Sequence, residues 1–510
     1  MNTIRPGTAL PEHVDVLVVG AGISGVSMAC HLKSMQPART FAIVDARDNI
    51  GGTWDLHRYP GIRSDADLHT FGFGFKPWTR DNAIADAHEI LDYLNETIDD
   101  YGVRRHLHTG VKVVRAAFST ADARWVVTLR RASTGAEVQI SCEFLYCAAG
   151  YYDYDEGYTP HFEGRDEFEG AIVHPQHWPE DLDYADKRVV VIGSGATAIT
   201  LIPALAQSAT RVTMLQRSPS YVLPIPRKDP IANALRHLGV MGYRITRAIN
   251  INRLRLIYHA SRRFPSQVRA LVKRISARSL PDGFALDPHF TPTYAPWDQR
   301  MCFAPDGDFF QAFADGAAQV VTDTITRFTQ SGILLDSGTE LEADIIVTAT
   351  GLNMVPFGKI QLSVDGEAVT ASDRVVYKGA MLSDVPNFAF VIGYVNQSWT
   401  LKADLISDYI CRVLAHMDQH GFNTCTPVPD NRNVELKPYI DDMNSGYLQR
   451  AMSSLPKQGT HGSWAVNQSY HVDKKVLAGI EDPELVMRRA VARPKVPATR
   501  RPSRSTETAR

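Results

Sequence analysis

The stretch Val14-Asp-Val-Leu-Val-Val-Gly20-Ala-Gly22-Ile-Ser24-Gly25 decides the fold. A short β-branched run is typical of a buried parallel strand. Here it passes straight into Gly-x-Gly-x-x-Gly and then into helix-forming residues as far as Lys33. Glycines at that spacing allow a tight turn and close backbone approach, so a pyrophosphate can rest on the helix N terminus. A second strand, Thr40–Val44, ends at Asp45, twenty residues beyond Gly25, where a carboxylate can meet a ribose 2′-hydroxyl. Strand, glycine turn, helix, strand and acid in that order predict a dinucleotide-binding unit.

The pattern restarts at Arg188–Ile192 with Gly193-Ser194-Gly195-Ala196-Thr197-Ala198, a helix through Leu205, and a strand Arg211–Leu215. This strand ends in Gln216-Arg217-Ser218, a cation where the first unit has an acid. A permanently charged planar fork suits a 2′-phosphate; the alternative for Arg217 is an arginine solvated at the surface. Unit one is therefore expected to take a dinucleotide without that phosphate and unit two NADP(H). Such a pair suggests a flavin partnered with a nicotinamide. The fold class expected is α/β, with two Rossmann-like domains for FAD and NADP and a helical insertion in the second.

Two apolar strands, Phe144–Gly150 and Asp344–Gly351, each run into a small-residue turn where the chain can cross between domains. The organisation predicted is an FAD domain in two parts, 10–153 and 353–485, flanking an NADP domain at 154–352. Residues 486–510, rich in Arg and Pro, are expected to be a disordered tail. Between Arg227 and Leu280 stand thirteen Lys/Arg and one acid, Asp229. This part of an insertion at about 227–290 has two readings. It packs an aliphatic face inward with arginines in solvent, the favoured one, or it touches an anionic membrane surface.

Of the 510 residues, 44% are hydrophobic and 22% charged, an ordinary globular balance, and 54 basic against 56 acidic residues give a net charge of -2. No global pull toward nucleic acid follows. The six cysteines include no C-x-x-C pair, which argues against a zinc ribbon and a dithiol reductase; no metal is expected. Asp15 and three glycines interrupt the apolar stretch Val14–Cys30, so it reads as strand, turn and helix, and the expected location is cytoplasmic.

Two longer motifs specify the chemistry. Gly51-Gly52-Thr53-Trp54-Asp55-Leu56-His-Arg-Tyr-Pro-Gly-Ile-Arg-Ser-Asp65 and Phe168-Glu-Gly-Ala-Ile-Val-His174-Pro-Gln-His-Trp178-Pro179 resemble the fingerprints of type I Baeyer–Villiger monooxygenases. The Trp-Pro ending favours that branch over N- and S-oxygenating flavin monooxygenases. Tyr294–Arg300 and Gly393-Tyr-Val-Asn-Gln-Ser-Trp-Thr-Leu-Lys-Ala-Asp404 look most like the ethionamide-activating subgroup.

The resemblance implies a set of roles. Gly20, Gly22, Ser24, Gly25, Asp45, Gly52, Thr53, Trp54, Asp55, Leu56, Asp65 and Val113 would bind FAD. Gly193, Ser194, Gly195, Ala196, Thr197, Ala198, Arg217, Ser218 and Arg300 would bind NADP, and His174 and Trp178 would couple the domains. Arg300, oriented by Asp65, is the expected catalytic residue. Spacing alone would read it as an interdomain salt bridge; the motif reverses that preference, because a fixed guanidinium stabilises the C4a-peroxyflavin anion such enzymes use. The implied partners are molecular oxygen and a small apolar ketone, yielding an ester or lactone, or a sulfide. A flavin monooxygenase acting mainly on sulfur or nitrogen is the alternative.

Overall fold

The computed structural model describes residues 10–430, 435–441 and 443–489. His13–Val19 lies inside the larger sheet, parallel to Phe41–Val44 on one side and Glu137–Cys147 on the other, with Val16 opposite both Phe41 and Phe144. Its Val16, Leu17 and Val18 are fully buried, so the β-branched run does what its composition requires. The sheet continues through the antiparallel strands Arg124–Arg131 and Val111–Ser119. The C-terminal part of the chain returns to it: Gln361–Val364 pairs with Val111–Ser119, and Phe388–Phe390 lies parallel to Glu137–Cys147.

A second sheet has five parallel strands in the order Ala318–Thr322, Arg211–Gln216, Arg188–Ile192, Ile345–Thr348, Ala171–Val173. The two glycine-turn helices run Ile23–Met35 and Ala196–Leu205, close to their expected extents. The fold is α/β with two dinucleotide-binding domains. Between the sheets, Tyr152–Gly157 and Leu352–Met354 pair antiparallel, so the outgoing and returning chain form one two-stranded ribbon.

Three helices, Pro230–Leu235, Gly239–Arg263 and Pro265–Arg278, fill most of the basic segment. The long one turns Tyr243, Thr246, Asn250 and Ile251 inward. Tyr243 Oη donates to Phe73 O at 2.9 Å, and Arg247 Nη1 donates to the carbonyls of His69, Thr70 and Gly72. Val240, Met241, Leu256, Phe264 and Leu271 remain exposed. No helix among the described residues is long and apolar enough to cross a membrane.

All six cysteines are free and buried. Of the expected tail, Val486–Arg488 belongs to a strand, Leu485–Arg488, paired with Thr424–Pro427; residues 490–510 lie outside the described part.

Candidate active site

A cavity of about 660 Å³ opens at the C-terminal ends of the first sheet's parallel strands, the place where α/β sheets hold ligands. It is lined by Gly20, Gly22, Ser24, Asp45, Gly52, Thr53, Trp54, Asp65, Val113 and Arg300. Two of its glycines explain the Gly-Gly start of the first fingerprint. A Cβ on Gly52, which has φ of +57°, would sit 3.1 Å from Gly22 Cα and 3.2 Å from Tyr154 Oη. The two turns approach backbone to backbone, with no room for a side chain between them.

Its chemistry fits an FAD. No side chain caps the Ile23–Met35 helix, so its first amides remain available to a pyrophosphate. Asp45 accepts from Ala21 N at 2.6 Å and Arg47 N at 2.8 Å, which fixes the carboxylate at the cavity wall. Burial raises its pKa against those two hydrogen bonds. Ser24 Oγ accepts from Trp399 Nε1 at 2.8 Å, and Thr53 Oγ1 lies 3.1 Å from Tyr154 Oη. Asp55, Leu56 and Gly25 are not among the lining residues. The buried Asp55 carboxylate instead takes Arg47 Nε at 2.7 Å and Arg58 Nη2 at 2.9 Å, so it braces the fingerprint turn.

The second glycine turn has a similar, simpler form. The Ala196–Leu205 helix also lacks a side-chain cap, and a Cβ on Gly195 would meet nothing within 4 Å. Ser194 Oγ donates to Ser218 O at 2.8 Å, tying the turn to the end of Arg211–Gln216. Thr197 and Ala198 continue into the helix, and Arg217 is exposed beside this turn. Amides with an adjacent guanidinium suit a phosphorylated dinucleotide.

Arg300 and Asp65 bring the two halves together: Arg300 Nε stands 2.9 Å from Asp65 Oδ2. Asp65 is the largest influence on the guanidinium and raises its pKa, so the cation is permanent. Tyr151, Tyr152 and Tyr447 also act on it electrostatically; burial raises the pKa of all three phenols, keeping them protonated. Arg300, Asp65, Ala66 and Gln397 also line a second cavity, of about 200 Å³, walled by Ile84, Leu254, Trp297, Met301 and Phe303. Leu254 comes from the basic insertion, which therefore contributes to the site.

His174 sits at the ribbon between domains. Its Nε2 is 3.1 Å from Gly351 O, and a Cβ on Gly157 would collide with its ring at 2.1 Å. It thus touches both crossings. Trp178 is buried in the core under the second sheet. The sequence reading passed over Tyr151, Tyr152 and Tyr154, although an aromatic run directly after a strand-ending glycine is a visible signal. Trp399 and Leu254 reach the cavities through contacts distant in sequence.

Comparison with known proteins agrees. The profile of the family described as Pyridine nucleotide-disulphide oxidoreductase matches residues 17–223. The FAD-containing monooxygenase EthA of Mycobacterium tuberculosis is 49% identical over 92% of this chain and 96% of its own. The protein of that name from Mycolicibacterium smegmatis is 48% identical over 92% and 95%. Among solved structures, a steroid monooxygenase bound to NADP superposes with a TM-score of 0.72 at 24% identity, covering 91% of this chain and 97% of its own. A cyclohexanone monooxygenase gives 0.70 at 23%, covering 82% and 91%. The chain belongs to the FAD-containing monooxygenases.

Proposed function

We propose that this monooxygenase uses NADPH and O₂ to insert one oxygen atom beside the carbonyl of a small apolar ketone, giving an ester or lactone, and that it also oxidises sulfides. One oxygen atom enters the product and the other leaves as water; NADPH supplies two electrons. The observation that carries the reading is Arg300, paired with Asp65 where the larger cavity meets the smaller apolar one.

FAD, when bound, supplies the two-electron reduction of O₂ by NADPH. Around it the chain holds charge and excludes water. Arg300 presents a fixed cation to the oxyanion that develops as the carbonyl is attacked, and it needs no reorganisation to do so. Asp65 holds the guanidinium plane. The protonated Tyr151 and Tyr152, whose hydroxyls lie 3.3 Å apart, close the wall beside it. The smaller cavity receives the organic substrate against Leu254, Trp297 and Met301.

In this reading residues 10–153 and 353–485 serve FAD and 154–352 serve NADP, with His174 at the hinge. The six free thiols suit a reducing, cytoplasmic setting. The insertion packs its inner face as favoured, and exposed Met241, Leu256 and Phe264 among its arginines offer a further, peripheral contact with an anionic bilayer; co-sedimentation with anionic but not neutral vesicles would test it. The test of function is product analysis with NADPH and O₂ on 2-octanone and thioanisole. Ester from the first supports carbonyl insertion. Sulfoxide alone would move the assignment to heteroatom oxidation.

A further inference from the structure

The motif Gly393–Asp404 has no role in the mechanism above, yet its first half forms a wall common to both cavities. Tyr394, Ser398 and Trp399 line the larger, Val395 and Asn396 the smaller, and Gln397 both. This loop belongs to no strand and makes few backbone hydrogen bonds. Its end is tied to the first domain, Ser398 Oγ lying 2.6 Å from Thr70 Oγ1 and Trp399 bonding Ser24, whereas Tyr394–Gln397 is held from one short C-terminal segment. Val395 N donates to Gln468 Oε1 at 3.1 Å; Asn396 Nδ2 and Gln397 Nε2 donate to Gln468 O at 3.0 and 3.3 Å. Tyr394 Oη donates to Asp473 Oδ2 at 2.8 Å.

Asp473 is itself fixed. Lys402, in the second half of the motif, lies 2.9 Å from it, both side chains at most 3% exposed. Lys402 Nζ also sits 5.1 Å above the Tyr394 ring. A buried ion pair contributes little net stability, because desolvation opposes the attraction. What it does supply is a fixed geometry, here aimed at one hydroxyl. Asp404, two residues on, anchors the same helix at its other side, accepting from Ser27 Oγ and Gly74 N, each at 2.7 Å.

We infer that Gln468 and Asp473 are positioning residues: they fix the loop Tyr394–Trp399 and thereby set the shape of the substrate space facing Arg300. The inference rests on the monooxygenase reading above. Without the clamp the loop opens, water reaches the space beside Arg300, and reducing equivalents are lost as hydrogen peroxide.

The test uses Gln468→Leu, Gln468→Glu and Tyr394→Phe as FAD-loaded full chains, avoiding loss of Asp473, which would strand Lys402 as a buried cation. Hydrogen exchange of residues 394–399 should quicken about 5–10-fold in Gln468→Leu, the effect of one lost hydrogen bond, while the glycine-turn helices exchange as before. Product formed per NADPH, with 2-octanone or thioanisole, should fall as peroxide rises. Gln468→Glu, which keeps the acceptor for Val395 N, should restore both. Tyr394→Phe should repeat the Leu phenotype. Unchanged exchange, or quickened exchange with full product yield, overturns the inference. A wild-type protein that oxidises NADPH without oxygenating either probe overturns the monooxygenase reading instead, and exchange still decides the clamp.

Discussion

Arg63 and Asp308 join the first fingerprint to the helix Asp308–Ala314: both guanidinium Nη atoms reach the carboxylate, Nη2 to Oδ1 at 3.1 Å. Arg63 is 6% exposed and sits in the first fingerprint, two residues before Asp65. Asp308 begins the helix Asp308–Ala314, where a negative charge also meets the free amides of the N terminus. The pair thus ties the fingerprint to this helix two residues from Asp65, the carboxylate that meets Arg300.

Asp308→Ala should leave a nearly buried guanidinium uncompensated and destabilise the protein by about 3 kcal/mol. The double variant Arg63→Met/Asp308→Ala should recover much of that loss. Thermal melts of the three proteins check it; a double variant as unstable as Asp308→Ala would show that the charge itself is not the cause.

Arg300→Ala should still bind FAD and oxidise NADPH, because neither glycine turn is altered. Product should fall by ~10²–10³, with hydrogen peroxide released in step with NADPH consumed. An interdomain salt bridge predicts the reverse, a lower melting temperature with full product from the folded fraction. Measuring peroxide, product and melting point together separates the two.

Arg217→Ala should raise KM for NADPH by about 10–100-fold, the worth of a charge-assisted hydrogen bond to a phosphate, and leave KM for NADH almost unchanged. Equal loss with both cofactors would make Arg217 a structural residue.

His57 lies within the first fingerprint, near the hinge histidine His174. Burial, with His174 and His177 nearby, holds its pKa down at about 4. The unfolded chain binds a proton there near pH 6.5 and the folded chain does not, so between pH 6.5 and 4 stability rises with pH. Acidifying through that window should cost up to about 3 kcal/mol. Below about pH 4 this contribution stops changing. Urea midpoints across the window should fall less steeply in His57→Gln; an identical slope would exclude His57 as a source.

The parallel strands and glycine turns were legible because period and punctuation are local properties. Val14–Gly25 and Arg188–Ala198 form what their residues dictate. The direction of the Asp55 carboxylate was illegible for the opposite reason. Its neighbours in the fingerprint face the cavity, but Arg47 and Arg58 turn its carboxylate away, and no spacing rule reports which partner a side chain finds. The clamp at Gln468 is more distant still, 73 positions from Val395, with no periodicity to betray it. The insertion was read correctly as helical, while its contribution of Leu254 to the smaller cavity depends on a packing direction that amphipathicity leaves open.

The six sequestered thiols have a chemical consequence for a catalyst working with O₂. Burial pushes Cys147, Cys302, Cys411 and Cys425 up to about 12, and Cys30 and Cys142 higher still. Sulfenic acid formation proceeds through the thiolate, and at neutral pH essentially none is present. The fold thus keeps its thiols protonated and out of reach of any peroxide formed beside them.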